Sequence, residues 1–250
     1  MIIKSFVSVV NILLFLVLSS PASKAVTDNK LGFDTTRLVI NEEQSKNAYF
    51  RFINKTEQTY LVSGAIYESF PDGTKSEKRE RGFILTPPVS KSTPYTEKVL
   101  RVIRMGGKFS DNKESLFYFS SSFVPGESKI GTASGNIPLK IGYVWNMKVF
   151  YRPAEISNTR IIDCLNRITV KEQKDSLYIQ NDSPLWFTIV NIKADTDAKV
   201  KTFPMMVGPY STTLLAVDKL PFSKGQKLKL QFIDEDGHHV PEGGREYTVR

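Results

Sequence analysis

The side chains that could do chemistry in this sequence are few. Its only histidines, His238 and His239, are adjacent and follow Asp236 and Gly237. Neighbouring side chains on a strand or turn point in different directions, so the pair cannot readily chelate one ion without further ligands. There is also no pair of cysteines and no H-E-x-x-H spacing. We therefore predict surface histidines, no metal site and no cofactor.

Nucleophiles and phosphate-binding loops are equally poorly represented. Ser134 lies in a glycine-containing stretch that lacks the G-x-S-x-G order, and the single Cys164 has no obvious base partner. We predict that Cys164 is a partly buried, inert thiol. The glycine pairs at 106–107 and 243–244 lack the lysine and hydroxyl ending of a phosphate loop and are predicted to form hairpin turns. No catalytic residue is predicted, and the chain is not expected to be an enzyme.

The first residues resemble an export signal. One positive charge in Met1–Lys4 precedes an apolar run from Phe6 to Leu18, which is shorter than the roughly 20 residues that span a bilayer. We predict a signal peptide over residues 1–25, cleaved after Ala25 or, alternatively, after Ala22, and no stable membrane insertion afterwards. The formal net charge of +8 is scattered along the chain. Nucleic acid is a poor partner for an exported chain, so none is expected.

Short apolar runs separated by turn residues predict an all-β fold of two immunoglobulin-like β-sandwiches. An Arg-Pro step at 152–153 divides them, which predicts a first domain over 26–152, a linker over 153–159 and a second domain over 160–250. The charged segment 75–81 is interpreted as a solvated loop. The predicted strands are Phe33–Ile40, Ala48–Ile53, Tyr60–Tyr67, Phe83–Thr86, Val99–Arg104, Leu116–Phe123 and Ile137–Tyr151 in the first domain, and Ile161–Val170, Ser176–Gln180, Leu185–Lys193, Thr212–Val217, Lys227–Ile233 and Arg245–Val249 in the second.

The run Ile137–Tyr151 is unusual among these strands. Its odd positions are all apolar, whereas most of its even positions are polar or glycine. One apolar face therefore continues for much longer than the five or six residues of a typical strand. A core strand would explain part of this stripe, but a long apolar edge strand would be an aggregation hazard unless a partner covered it.

The end of this run makes a resemblance specific. The segment Lys148–Pro153 resembles the K-L-F-Y-R-P signature of the periplasmic pilus (fimbrial) assembly chaperones of Gram-negative bacteria. Further segments match that family in the same order along nearly the whole chain after the signal segment. They are Thr36–Ile40, Phe83–Pro88, Leu100–Ile103, Glu114–Phe119, Asn181–Pro184 and Val207–Ser211. Such chaperones are two immunoglobulin-like domains set at an angle with a cleft between them.

The resemblance implies a periplasmic chaperone that lends a strand to pilus subunits and delivers them to an outer-membrane usher. By position, the lent strand is Ile137 to Trp145, with Ile137, Leu139, Ile141 and Tyr143 filling the subunit's groove. The family's two cleft cations correspond to Arg37 and Lys148, which would hold the subunit's C-terminal carboxylate.

An inter-domain ion network is also implied by the resemblance, and it maps to Glu114, Arg152 and Glu235, with Asp234 and Asp236 as alternatives for its acid. The short connection from 125 to 136 lacks cysteines and resembles the short-loop branch of the family. The alternative functions are an exported immunoglobulin-like adhesion or receptor module and, third, a secreted β-sandwich hydrolase.

Overall fold

The computed structural model describes residues 30–45, 47–107, 109–126, 141–174, 176–194, 204–215 and 224–250. Nearly all regular structure in these ranges is β-strand, and no described helix is long and apolar enough to cross a membrane. The predicted signal peptide and the predicted donor residues Ile137 and Leu139 lie outside the described residues.

The N-terminal domain is a sandwich of two sheets, with strand orders β1-β3-β8-β6 and β2-β10-β9-β4-β5, and β7 pairs with β4. Every second side chain of these strands enters the space between the sheets, where Phe33, Phe50, Phe52 and Phe119 form a close group of rings. The strands are β1 (Leu31–Phe33), β2 (Arg37–Asn41), β3 (Ala48–Asn54), β4 (Tyr60–Ser69), β5 (Lys75–Arg79), β6 (Phe83–Thr86), β7 (Val89–Ser92), β8 (Thr96–Arg104), β9 (Ser115–Pro125) and β10 (Tyr143–Arg152).

The C-terminal domain is a second, smaller sandwich with strand orders β11-β12-β15 and β14-β13-β16-β17. Its core is separate and is centred on Phe187 and Phe232, whose ring centroids lie 5.1 Å apart. Cys164 is a free, buried thiol in this core. The strands are β11 (Ile168–Gln173), β12 (Ser176–Asn181), β13 (Phe187–Ala194), β14 (Met205–Val207), β15 (Ser211–Leu214), β16 (Lys227–Ile233) and β17 (His239–Thr248). The prediction of two immunoglobulin-like sandwiches is confirmed.

Two predicted strands are wrong in part. The run Phe33–Ile40 is divided between β1 and β2, which belong to different sheets. The chain crosses between sheets at 34–36, where Asp34 accepts hydrogen bonds from Arg51. The run Ile161–Val170 begins with a 3-10 helix over Ile162–Arg167, and only Ile168 starts a strand. In the first segment, β1 pairs with β3 and β2 pairs with β10. In the second, the backbone makes local hydrogen bonds, such as the one that Cys164 N donates to the carbonyl of Ile161 at 3.1 Å.

One predicted loop and one predicted hairpin turn are wrong as well. The charged segment 75–81 contains strand β5, which pairs with β4 although most of its side chains are exposed. Gly243 and Gly244 lie inside β17, with φ of 73° and 83°, where the register with β16 shifts. Two residues with left-handed backbone let the strand bulge and then resume pairing, so these glycines form a bulge rather than a hairpin turn.

Candidate functional site

Strand β10 has neighbours of unequal length on its two sides. On one side, β9 pairs with it from Tyr143 to Tyr151. On the other side, β2 runs parallel to it and pairs only from Lys148 to Arg152. In the part of the chain that the structure describes, the stretch from Tyr143 to Met147 therefore has an open edge whose backbone groups can accept a further strand.

The side chains of this open stretch leave the core progressively. Met147 is buried, whereas Trp145 is 42% exposed and Tyr143 56%; Ile141, two residues before β10 begins, is 58% exposed. The Trp145 ring still contacts the core of the N-terminal domain, because its centroid lies 6.5 Å from that of the Phe33 ring. The C-terminal half of the apolar stripe is thus a core strand. Its N-terminal part, beside the open edge, is an exposed apolar ribbon formed by Ile141, Tyr143 and Trp145.

Two cations lie where the open edge ends. Arg37 and Lys148 are Cα partners on the parallel strands β2 and β10, so their side chains leave the same face of the sheet. Arg37 crosses to the C-terminal domain, donating from Nη1 to the carbonyl of Ile233 at 3.2 Å and from Nη2 to Thr188 Oγ1 at 3.4 Å. The structure brings these two predicted site residues together.

Among the described residues, neither cation forms an ion pair, and the acids Glu114, Asp234 and Glu235 act on Arg37 only at longer range. Arg37 is only 7% exposed, and its Nε is buried without a hydrogen-bond partner. The Lys148 ammonium group donates no hydrogen bond to a described residue and forms no ion pair with one. Burial lowers the pKa of Arg37 to about 10. Burial, and then the nearby Arg37, lower the pKa of Lys148 to about 8. A carboxylate at this point would satisfy the free donors and restore the charge balance.

The predicted inter-domain network is also assembled in the structure. Arg152 donates from Nε to Glu114 Oε1 at 2.7 Å and from Nη2 to Glu235 Oε1 at 2.8 Å. Glu114 accepts in addition the backbone N–H of Trp186 at 2.8 Å, and Glu235 that of Ile161 at 2.9 Å. One N-terminal-domain arginine thus joins acids of both domains, and Glu235 is the acid of the three candidates that contacts it.

The three side chains of this ion network are largely shielded from solvent. Burial raises the pKa of Glu114, while the Arg152 guanidinium opposes that rise by favouring the carboxylate. Burial disfavours the charged form of Arg152, but its two carboxylate partners raise its pKa overall. Such a network fixes the relative position of the domains more than it stabilises them, because desolvation offsets much of the attraction.

A second, apolar contact between the domains was not predicted from the sequence. Leu116 and Phe150 of the N-terminal domain pack against Trp186 and Met206 of the C-terminal domain in one buried cluster. The β4–β5 turn closes over it at Gly73, whose φ is 84° and where an added Cβ would lie 2.6 Å from the Met206 Cβ. The sequence Pro71-Asp72-Gly73 is typical of a turn, but it gives no indication of a partner in the other domain.

Comparisons with known proteins agree with this architecture. The model of the pili and flagellar-assembly chaperone PapD N-terminal domain matches residues 30–157, and that of the pili assembly chaperone PapD C-terminal domain matches residues 163–243. The chain is 30% identical over 215 residues to the chaperone protein SefB of Salmonella enteritidis, covering 84% of this chain and 82% of SefB. It is 25% identical over 230 residues to the probable fimbrial chaperone SfmC of Escherichia coli K12, covering 92% and 93% of the two chains.

Solved structures show the same fold. The CupB2 chaperone of Pseudomonas aeruginosa is similar with a TM-score of 0.68 and 19% identity, over 87% of this chain and all of that one (100%). A chain in the complex of the Salmonella enterica SafA pilin with the SafB chaperone is similar with a TM-score of 0.70 and 16% identity, over 89% of this chain and 97% of that one.

Within the described residues, fold and site define a two-domain immunoglobulin-like protein with paired cations between its domains and an open, apolar strand edge. The chain belongs to the PapD family of pilus assembly chaperones, as the sequence motifs predicted. That family consists of chaperones, and none of the comparisons indicates an enzymatic activity.

Proposed function

We propose that this protein captures pilus subunits in the periplasm by adding its β10 edge to the subunit's incomplete sandwich, and that it delivers them to an outer-membrane usher. The observation that supports this most is that an open strand edge, an exposed apolar ribbon and two cations without an ion-pair partner adjoin one another, the cations at Lys148 of β10 and at its register partner Arg37 of β2. Family membership favours this role over an adhesion or receptor module.

The apolar ribbon would supply the affinity. Ile141 and Tyr143 are each more than half exposed in the free protein. Because each is already partly buried, covering the rest of such a side chain in a subunit groove is worth about 1–2 kcal/mol. Backbone pairing along the open edge would set the register, as in other cases of strand addition. Ile137 and Leu139 would continue the ribbon; their role stays a prediction, as does the short-loop assignment, because residues 127–140 are outside the described ranges.

The two cations would fix one end of the incoming strand. A C-terminal carboxylate between Arg37 and Lys148 would accept charge-assisted hydrogen bonds, which are roughly twice as strong as neutral ones. It would also occupy the Arg37 Nε, which has no partner in the free protein. The inter-domain ion network would hold the C-terminal domain in place. The Ile233 carbonyl and Thr188 would then stay where they accept hydrogen bonds from Arg37 and so orient its guanidinium group.

The anchor can be tested by co-purification of a tagged pilus subunit with chaperone variants. We expect Arg37→Ala and Lys148→Ala to reduce capture at least tenfold while circular dichroism and melting temperature show a folded protein. Lys171→Ala is the matched control, because Lys171 is an exposed strand lysine of the C-terminal domain. Capture that is equal for Lys148→Ala and Lys171→Ala would contradict the anchor.

The ribbon can be tested in the same assay. Ile141→Asp combined with Tyr143→Asp should leave a soluble protein that no longer protects subunits. Leu214→Asp introduces a charge at another exposed strand position, with a leucine that is 51% exposed, and should leave capture unchanged. Full protection by the double variant would remove strand addition at these residues from the mechanism.

A further inference from the structure

The turn between β16 and β17 places three possible metal ligands together. Asp234, Asp236 and His238 occupy alternate positions, and their ligand atoms all lie within 4.8 Å of one another. Gly237, with φ of 89°, lets the chain reverse between the second and third of them. The sequence directed attention to the adjacent pair His238 and His239, whereas the structure pairs His238 with aspartates two and four residues earlier.

Asp234 is held in one orientation beside the imidazole. The residue is only 8% exposed, and its Oδ1 accepts the backbone N–H groups of Asp236 at 3.0 Å and His238 at 2.7 Å. Its Oδ2 lies 3.8 Å from His238 Nδ1. That gap exceeds the roughly 2.7–3.2 Å of a hydrogen bond. It is slightly less than twice the roughly 2.0–2.1 Å from zinc to an oxygen or nitrogen ligand, so it can accommodate an ion between the two atoms.

Arg37 acts on Asp234 electrostatically but does not contact its carboxylate. Among the described residues, no lysine or arginine forms an ion pair with it within 4.0 Å; His238 is its one such neighbour. Asp236 has a single, long contact of 3.9 Å with Arg160, which is itself about half exposed. Exposed ion pairs of this kind contribute little, so an ion would have little to displace.

We propose that Asp234, Asp236 and His238 form a binding site for a divalent cation of the zinc class, with water completing the coordination. The imidazole favours such ions over Ca²⁺ and Mg²⁺, which prefer sets made of oxygen ligands alone. Asp234 supplies the fixed ligand. Asp236 and His238 are exposed, with 69% and 77% of their side chains accessible, and can rotate to close the site.

The site adjoins the contact between the domains. An added Cβ at Gly237 would lie 2.7 Å from Thr36 Oγ1, so the turn rests on the residue that precedes Arg37. Asp234 directly follows Ile233, whose carbonyl accepts the Arg37 hydrogen bond. A bound ion would therefore stiffen the turn that supports this anchor residue, and we expect it to raise the melting temperature of the protein.

The test is a titration of the metal-free purified protein with Zn²⁺, followed by isothermal calorimetry and thermal unfolding. We expect one ion per chain, a higher melting temperature and a dissociation constant at least tenfold smaller than for Ca²⁺. Asp236→Asn and His238→Ala should each weaken Zn²⁺ binding at least tenfold. Both positions are exposed, so these variants should fold. His239→Ala is the matched control and should bind like the unaltered protein.

Two results would overturn the site. The first is the absence of saturable Zn²⁺ binding at 1:1 stoichiometry. The second is equal binding by His238→Ala and the unaltered protein, or an equal loss in His238→Ala and His239→Ala. Co²⁺ offers a second readout, since coordination by the imidazole should shift and intensify its visible absorption relative to the hydrated ion in the unaltered protein and in His239→Ala. A spectrum identical to that of the hydrated ion would also contradict the proposed ligands.

Discussion

Subunit capture should weaken as the pH rises through 8, because Lys148 has to be charged to hold a carboxylate. The pKa of Lys148 in the free protein is lowered to about 8 by burial and by Arg37. About one Lys148 in ten is then neutral at pH 7 and about nine in ten at pH 9. Arg37, with a pKa of about 10, remains mostly charged over this range.

The size of the effect follows from linkage. A bound carboxylate favours the charged lysine, so the pKa of Lys148 rises in the complex and binding takes up a proton. If the complex stays protonated, the dissociation constant increases about tenfold between pH 7 and pH 9, which corresponds to about 1.4 kcal/mol. At pH 8 each binding event should take up about half a proton.

The assay is calorimetry with a peptide that has the sequence of a subunit's C-terminal strand, in buffers of different ionisation enthalpy. The buffer dependence of the heat gives the proton uptake directly. Lys148→Arg is the control, because arginine stays charged and should give pH-independent binding from pH 7 to 9. Equal affinity of the unaltered protein at both pH values, with no proton uptake at pH 8, would refute the role of Lys148.

Further predictions concern the contact between the domains. Glu114→Gln should lower the free energy of unfolding by about 3 kcal/mol in urea denaturation, because it leaves the buried Arg152 with less charge compensation; no change would contradict the network. Gly73→Ala should cost about 1–3 kcal/mol, since φ is 84° and the new methyl group would overlap Met206. Gly106→Ala, where an added Cβ meets nothing within 4 Å, should change stability by less than about 0.5 kcal/mol. Equal effects of the two glycine substitutions would argue against the close approach at Gly73.

Much of the site could be predicted because several of its residues belong to one strand, β10, where their order in the sequence determines which face each side chain occupies. The alternating stripe of β10 and the ordered motifs indicated where Lys148 and Tyr143 would lie. The pairing of Arg37 with Lys148 followed from the family resemblance, and the structure places them as register partners on β2 and β10. Local patterns suffice here because side chains on one strand alternate strictly between its faces.

Other features depend on contacts between distant segments, which strand composition does not encode. The run Phe33–Ile40 is interrupted by the polar residues 34–36, but that they carry the chain from one sheet to the other depends on the pairing of β1 with β3 and of β2 with β10. The choice of Glu235 rather than Asp234 for the network depends on which way each side chain of the turn points. The cluster of Trp186 and Met206 with Leu116 requires both domains to be in place. The change of sheet, the choice of Glu235 and the apolar cluster all depend on the three-dimensional arrangement of segments that are far apart in the sequence.

The most direct test of strand addition is amide hydrogen exchange along β10, measured with and without a bound subunit. In the free protein, the open-edge amides of Tyr143–Met147 should exchange quickly, whereas those of Lys148–Arg152, between β2 and β9, should be protected. Binding should protect the open-edge amides of Tyr143–Met147 by at least tenfold and leave the strands of the C-terminal domain largely unchanged. Subunit binding that leaves these amides exchanging as fast as before would contradict the account.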